Sequence, residues 1–401
     1  MDKKRVTIFS WALYDFSNAI FGMNVIALYF ALWVTVEKGA EDIVYGFVLG
    51  LSMLIAAIAM PILGAISDKK NERVPFLIIF TLLCVLFLSF IGMVESIFLG
   101  LLFFAIANLG YLISGAVFYN ALLPYVADEE SIGRVSGYGV CLSYVGVITG
   151  LLAIRPIALK FGYQATFIPT AFFFLIFALP CFIFVKDKDV RKIKNIGELI
   201  KGAFLSLKNT LKEIRASKNQ FDFFLSLFII INIVNTVFIF MSVYLKKVVL
   251  LKDAEIITLY IVSNIFSIIG ALASGVISDR IGPKKTLLGA IMVCVLSVFL
   301  AIISFHKNFF WVIGPLAGLA FSGIRVSGRA FAITLFPKER IGEIFGLLGF
   351  LSNLAFIGLL IWGAVVFIFG PLGPFRYRIA LFVSLCILTW GVTILRKVSP
   401  E

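Results

Sequence analysis

Long apolar runs alternate with short polar breaks along nearly the whole chain. The runs fall at 8–33, 43–67, 75–94, 97–121, 134–154, 163–185, 221–244, 256–278, 286–304, 309–332, 343–367 and 376–395. A helix of about 20 residues crosses the roughly 30 Å of hydrocarbon in a bilayer. Lipid offers a backbone no hydrogen-bond partners, so a helix, which satisfies its own, is the predicted element for each run. The short alternating segments of a membrane β-barrel are absent. The pattern predicts an all-α membrane protein of twelve transmembrane helices, and an even number puts both termini on one side. Lys3, Lys4 and Arg5 precede the first run as in a signal peptide. That run is too long, lacks a small-residue cleavage site and contains Asp15, so it reads as a retained helix.

One polar break is long, at 186–220. Ile193, Ile196, Ile200, Phe204, Leu207, Leu211 and Ile214 recur there at helical spacing, with lysines between them. This predicts an amphipathic helix lying on the inner leaflet, drawn by anionic lipid. It serves either as a lipid-sensing element or as a plain connector. The expected organisation is thus 1–185, a linker at 186–220, and 221–401.

Composition supports this reading and narrows it. Hydrophobic residues make up 61% and charged residues 14%, against about 25% charged in soluble domains. The net charge of +13 invites a nucleic-acid reading. The lysines and arginines, however, sit in the loops, 24 on the side of the termini and 9 on the other. That asymmetry predicts cytoplasmic termini in a multi-pass protein of the cell membrane. Nucleic acid is not an expected partner. The five cysteines are scattered through apolar runs without a CxxC pair, which indicates neither a metal site nor a disulfide framework. His306 is the only histidine and falls in a short loop. Gly282-Pro283-Lys284-Lys285-Thr286 lacks the spacing of a Walker loop. No enzymatic activity, metal or cofactor is expected, and the chain is expected to act as a monomer.

Internal repeats come next. Gly64-Ala65-Ile66-Ser67-Asp68-Lys69 leaves the second run, and Gly275-Val276-Ile277-Ser278-Asp279-Arg280 leaves the eighth, 211 residues later. Ile132-Gly133-Arg134-Val135-Ser136-Gly137 and Ile341-Gly342-Glu343-Ile344-Phe345-Gly346 open the fifth and eleventh runs, 209 residues apart. Two signals at nearly one offset predict two six-helix halves of like topology, and parallel repeats of this kind place a substrate site between the halves near mid-membrane.

These motifs resemble the loop signature of the major facilitator superfamily, Gly-x-x-x-Asp-Arg-x-Gly-Arg-Lys. The second copy keeps Gly275, Asp279, Arg280 and Gly282, followed by Lys284 and Lys285. The first keeps Gly64, Asp68, Lys69 and Arg73, with Asn71 where the second Gly would stand and Glu72 for a basic residue. Asn tolerates the left-handed backbone that Gly adopts there. The glycine lets two helices approach, and the Asp faces the amino end of a neighbouring helix. The resemblance makes that neighbour the fifth or eleventh helix, opening here with Gly133 and Gly342. A narrower resemblance rests on Trp11-Ala12-Leu13-Tyr14-Asp15-Phe16-Ser17-Asn18 and Phe118-Tyr119-Asn120-Ala121-Leu122-Leu123-Pro124. Both are similar to the vacuole-effluxer-like branch, which includes amino-acid exporters. The acidic Asn-Asp-Gly element of that branch is replaced in the seventh run by Asn232-Ile233-Val234-Asn235-Thr236.

Charges inside the runs are few, and each must face a cavity or a partner. Asp15 shares a helix face with Trp11, Asn18 and Gly22. Arg325 and Arg329 lie in the tenth run, Arg325 about 12 Å from the cytoplasmic end. The resemblance implies that helices one, four, seven and ten line the cavity. Asp15 and Arg325 are then expected to face one another across it and to act as a cytoplasmic gate. The alternatives are an Asp15 paired within its own half and an Arg329 that snorkels to the interface. The positive surplus suits a carboxylate or other anionic solute. Asn108, Tyr111, Asn232, Asn235 and Thr236 line the same cavity or tie helices together. Asp15 is also a candidate carrier of a coupling proton. Gly146 and Gly150 lack the following proline of the superfamily's antiporter motif. The expected function is a secondary transporter of a small polar solute, an amino acid or organic anion; a transporter-fold sensor or scaffold is the alternative.

Overall fold

A computed structural model describes residues 3–40, 42–187, 196–354 and 356–399. It is helical almost throughout, and twelve of its helices are long and apolar enough to cross a membrane. They run Lys3–Leu32, Val44–Lys70, Val74–Ile91, Ile97–Val126, Glu129–Phe161, Gln164–Phe184, Lys218–Met241, Thr258–Ile281, Pro283–Ile303, Lys307–Leu335, Lys338–Ile368 and Phe375–Lys397; they are called helices one to twelve below. Most extend past the apolar runs, because capping residues and snorkelling cations carry a helix beyond the hydrocarbon. Helices one and four each contain a π-helical stretch, Gly22–Tyr29 and Ser114–Tyr119. Such stretches leave the regular hydrogen-bond ladder and recur at functional sites.

Contacts group the chain into two compact units, 1–207 with 336–350, and 208–335 with 351–401. In the first, helix one lies against five and six, helix three against four and six, and helix two against four. In the second, helix seven lies against eleven and twelve, helix nine against ten and twelve, and helix eight against ten. Adding six to each number of the first set reproduces the second, so the repeat read from two short motifs holds for the arrangement of whole helices. A positive φ after each motif repeats as well. Asn71 has φ 54° and Gly282, its counterpart, φ 91°. Asn therefore does take the left-handed backbone that a β-branched residue would resist.

Among the described residues of the long break, Ile196–Ala216 form a helix. Ile193 and the side chains of Ile196 and Ile200 lie outside the described residues. The remaining apolar stripe divides: Ile214 is buried and Leu207 half-buried, whereas Phe204 and Leu211 are exposed. Ala203 and Thr210 complete the buried face. Arg378 is a buried member of helix twelve. Its guanidinium donates to the carbonyls of Ile302 and, at 2.7 Å, Ser304. It thus satisfies acceptors that helix nine leaves open at its carboxyl end.

Candidate functional site

Glycines on helix five bring it against helix one. A Cβ on Gly146 would stand 2.3 Å from the Phe16 carbonyl oxygen, and one on Gly139 3.0 Å from a carboxylate oxygen of Asp15. Asp15, 4% exposed, therefore sits within its own unit, beside Gly139. The Tyr119 hydroxyl lies 2.9 Å from the same Cβ position. Tyr119 also binds the two short motifs together. Trp11 donates its indole N–H to the Tyr119 carbonyl at 3.1 Å. The Trp11 and Tyr14 rings stack on the Tyr119 ring at 4.5 and 5.1 Å. Asn18 reaches Gly115 in the π-helical stretch of helix four, where an added Cβ would be 2.6 Å from Nδ2. Tyr111 stacks on Phe21 at 4.6 Å, and its hydroxyl lies 2.9 Å from a Cβ placed on Gly22. Asp15, Asn18, Tyr111 and Tyr119 thus gather where helices one and four meet. Asn108 turns away from them, fully buried, and donates to Ser52 of helix two at 2.7 Å.

The second unit places its polar residues differently. Asn232 is buried, donates to the Phe228 carbonyl at 3.0 Å and accepts from the Gly358 N–H at 3.3 Å. It joins helix seven to helix eleven. Asn235 and Arg325 are exposed, and Arg329 is half-buried. The Phe238 and Phe321 rings meet at 6.1 Å, which fixes the register of helices seven and ten. Asn235 lies one turn before Phe238, and Arg325 one turn after Phe321. Helices seven and ten cross in opposite directions, so Asn235 and Arg325 fall at a similar depth. Gly328, three residues after Arg325, has open space where a Cβ would be. A guanidinium within a membrane span must face water or a polar partner, because hydrocarbon penalises it. Its planar fork matches a carboxylate.

A third cluster surrounds the first loop motif. Asp68 accepts from the Gly342 N–H at 3.1 Å and the Glu343 N–H at 2.8 Å, at the amino end of helix eleven. Its other partner is the Arg73 guanidinium at 2.6 Å. Arg73 is 1% exposed. It donates to Asn71 Oδ1 at 2.8 Å and lies over the Tyr125 ring at 4.5 Å. The helix-eleven start that the resemblance implied is therefore the partner of this Asp. The close approach requires glycine: a Cβ on Gly64 would stand 2.3 Å from the Gly342 carbonyl oxygen. Gly64→Val should cost about 1–3 kcal/mol through overpacking. Gly289→Ala, at a helical glycine with open space around it, should be neutral or stabilise by up to about 1 kcal/mol. Thermal unfolding of the detergent-solubilised protein compares them; equal midpoints would show that helices two and eleven do not need this approach. In the second copy, Gly275 is buried, Asp279 half-buried and Arg280 exposed, and Gly282 starts helix nine ahead of Pro283.

Three further contacts were not anticipated from the sequence. Asp187 accepts from the N–H groups of Arg73 and Val74, both at 2.9 Å, and so caps helix three. Burial pushes its carboxyl above the usual range, against the opposing pull of those two N–H groups and of the Arg73 charge. Ser206 of the linker helix donates to the buried Glu343 at 3.3 Å. Glu343 stands where the first repeat has Arg134, a difference visible in the sequence. Asp187 gives no such signal within its charged stretch.

The sequence profile of the Major Facilitator Superfamily matches residues 16–359 and 224–400. An uncharacterized protein of Aquifex aeolicus is 28% identical over 370 residues, 91% of each chain. The uncharacterized MFS-type transporter YxiO of Bacillus subtilis is 26% identical, over 98% of this chain and 94% of that one. Among solved structures, a bacterial homologue of the iron transporter ferroportin superposes with TM-score 0.75 at 15% identity over the whole of both chains. The human organic anion transporter MFSD10 superposes with TM-score 0.77 at 12% identity, over 98% of this chain and 100% of that one. At these identities the structural likenesses show the fold.

Proposed function

Since the chain belongs to the Major Facilitator Superfamily, a family of secondary transporters, we propose that it carries a small carboxylate-bearing solute, an amino acid or organic anion, by alternating access. The observation that carries this reading is Arg325, exposed within a membrane span and level with Asn235 on the neighbouring helix. A guanidinium and an amide at a similar depth would offer a carboxylate both a fork and a further donor. Arg329, one turn further along, adds positive potential. Asp15, Asn18 and Tyr111 are the residues we assign to the solute in the first half, with Asp15 as the candidate proton carrier. Asn108 and Asn232 hold helices behind them. Both termini are assigned to the cytoplasmic side of the cell membrane, on the loop-charge asymmetry. The Trp11-to-Asn18 motif supports an amino acid within the wider class, through its likeness to the vacuole-effluxer-like branch.

Counterflow tests the proposal directly. Purified protein in liposomes is loaded in turn with amino acids and with mono- and dicarboxylates, and uptake of the labelled solute is followed. At least one carboxylate should exchange well above protein-free liposomes, and its exchange should saturate. If a folded preparation exchanges none of them, transport of this class is excluded and the sensor or scaffold reading takes its place.

A further inference from the structure

The linker helix Ile196–Ala216 presents two faces of different character. One is held by the protein. Ala203, Thr210 and Ile214 are buried, Ser206 donates to Glu343, and Gly202 lies against the Lys69 side chain. The other faces outward in two neighbouring rows at helical spacing. Phe204, Lys208, Leu211 and Arg215 form one, and Lys201, Leu205, Lys208 and Lys212 the other; all seven residues are exposed. Three are large and apolar, with 52% of Phe204, 58% of Leu205 and 49% of Leu211 accessible. The other four are cations. Glu213, the one acidic residue between 201 and 216, falls on the far side of the helix at about 100° per residue.

The place of the helix says what meets this face. It ends at Ala216, and Ser217 caps the next helix by accepting from the Gln220 N–H. That next helix is membrane span seven. The last turn of the linker helix is therefore one residue from a segment that enters the bilayer, at the level of the lipid headgroups. A helix at that boundary, with Phe and Leu set among Lys and Arg, gains from apolar insertion and from attraction to anionic lipid together.

We propose that this outer face binds anionic phospholipid in the leaflet beside the linker. Lys201, Lys208, Lys212 and Arg215 meet the headgroup phosphates. Phe204, Leu205 and Leu211 reach between the upper acyl carbons. The face does not depend on which solute the protein carries.

The test uses the full chain with Cys141 and Cys386, the cysteines that are not buried, replaced by Ser. An environment-sensitive fluorophore is attached at Leu205→Cys, and the protein is reconstituted in phosphatidylcholine vesicles. Part of the lipid is brominated, either as phosphatidylglycerol or as phosphatidylcholine. At equal mole fraction the brominated phosphatidylglycerol should quench more strongly. The preference should shrink as salt screens the headgroup charge. Replacing Lys201, Lys208, Lys212 and Arg215 together with Gln should reduce it about tenfold or more. Equal quenching by the two lipids would mean mere proximity and overturn the proposal. Quenching by neither would place the face in water, open to an acidic protein partner, and overturn it as well. Should the fourfold variant fail to fold, the salt dependence of the labelled parent decides alone.

Discussion

Asp68→Ala is expected to destabilise the protein by about 3–5 kcal/mol, most of it from the cation left behind. Asp68 is the anionic partner of Arg73 at 2.6 Å, and Arg73 is 1% exposed. Without the carboxylate, the guanidinium keeps the Asn71 amide oxygen and the face of Tyr125, and the nearby negative charge of Asp187 is already engaged with the Arg73 and Val74 N–H groups. Two N–H groups at the start of helix eleven lose their acceptor at the same time, a loss typical of a missing cap at about 1 kcal/mol. The terms can be separated. Asp68→Asn keeps one acceptor oxygen and should fall between wild type and Asp68→Ala. Asp68→Ala with Arg73→Ala removes the orphaned charge and should be more stable than Asp68→Ala alone. Unfolding midpoints in one detergent, at matched protein concentration, give the order. If the double variant is the least stable of the set, the buried cation is not the source of the cost, and Arg73 contributes by filling space.

The sequence made the membrane helices legible because crossing a bilayer sets one strict condition, about 20 apolar residues in a row. The repeat was legible for a related reason. A tight approach such as Gly64 on Gly342 tolerates only glycine, so the constraint leaves a letter in the sequence. Asn71 and Gly282 left the same trace through the backbone. Side-chain direction inside the membrane was not legible. Asn108, Asn232 and Asn235 occur in equally apolar surroundings, yet Asn108 is bonded to Ser52, Asn232 to Gly358, and Asn235 is exposed. Hydropathy averages over all faces of a helix and cannot separate an amide that ties two helices from one left exposed. Asp187 was hidden because its function depends on where the chain after helix six returns, against the start of helix three. Tyr119 lay within a recognised motif, but its role as the surface on which Trp11 and Tyr14 stack requires helices one and four to meet.

Arg325→Gln should do the reverse of Asp68→Ala, leaving folding intact and impairing carboxylate transport. Arg325 is exposed, so a neutral, polar side chain of similar reach imposes little cost on the folded state. A hydrogen bond from a charged donor to a carboxylate contributes about 1.5–3 kcal/mol. Carboxylate exchange should then fall by about tenfold to a hundredfold at solute concentrations below saturation. Arg325→Lys should fall between, because it keeps the charge and loses the planar fork. Arg329→Gln should have a smaller effect, since that side chain contributes potential rather than a direct bond in the assignment above. Thermal unfolding and counterflow on the same preparations separate the two kinds of failure. Asp68→Ala lowers the unfolding midpoint and with it exchange of every solute. Arg325→Gln keeps the midpoint, loses stabilisation by added carboxylate, and spares any neutral solute the protein carries. Full carboxylate exchange by Arg325→Gln would remove the anion from the proposal. Asp15, Asn18, Tyr111 and Asn235 would then have to recognise a neutral solute by hydrogen bonding alone.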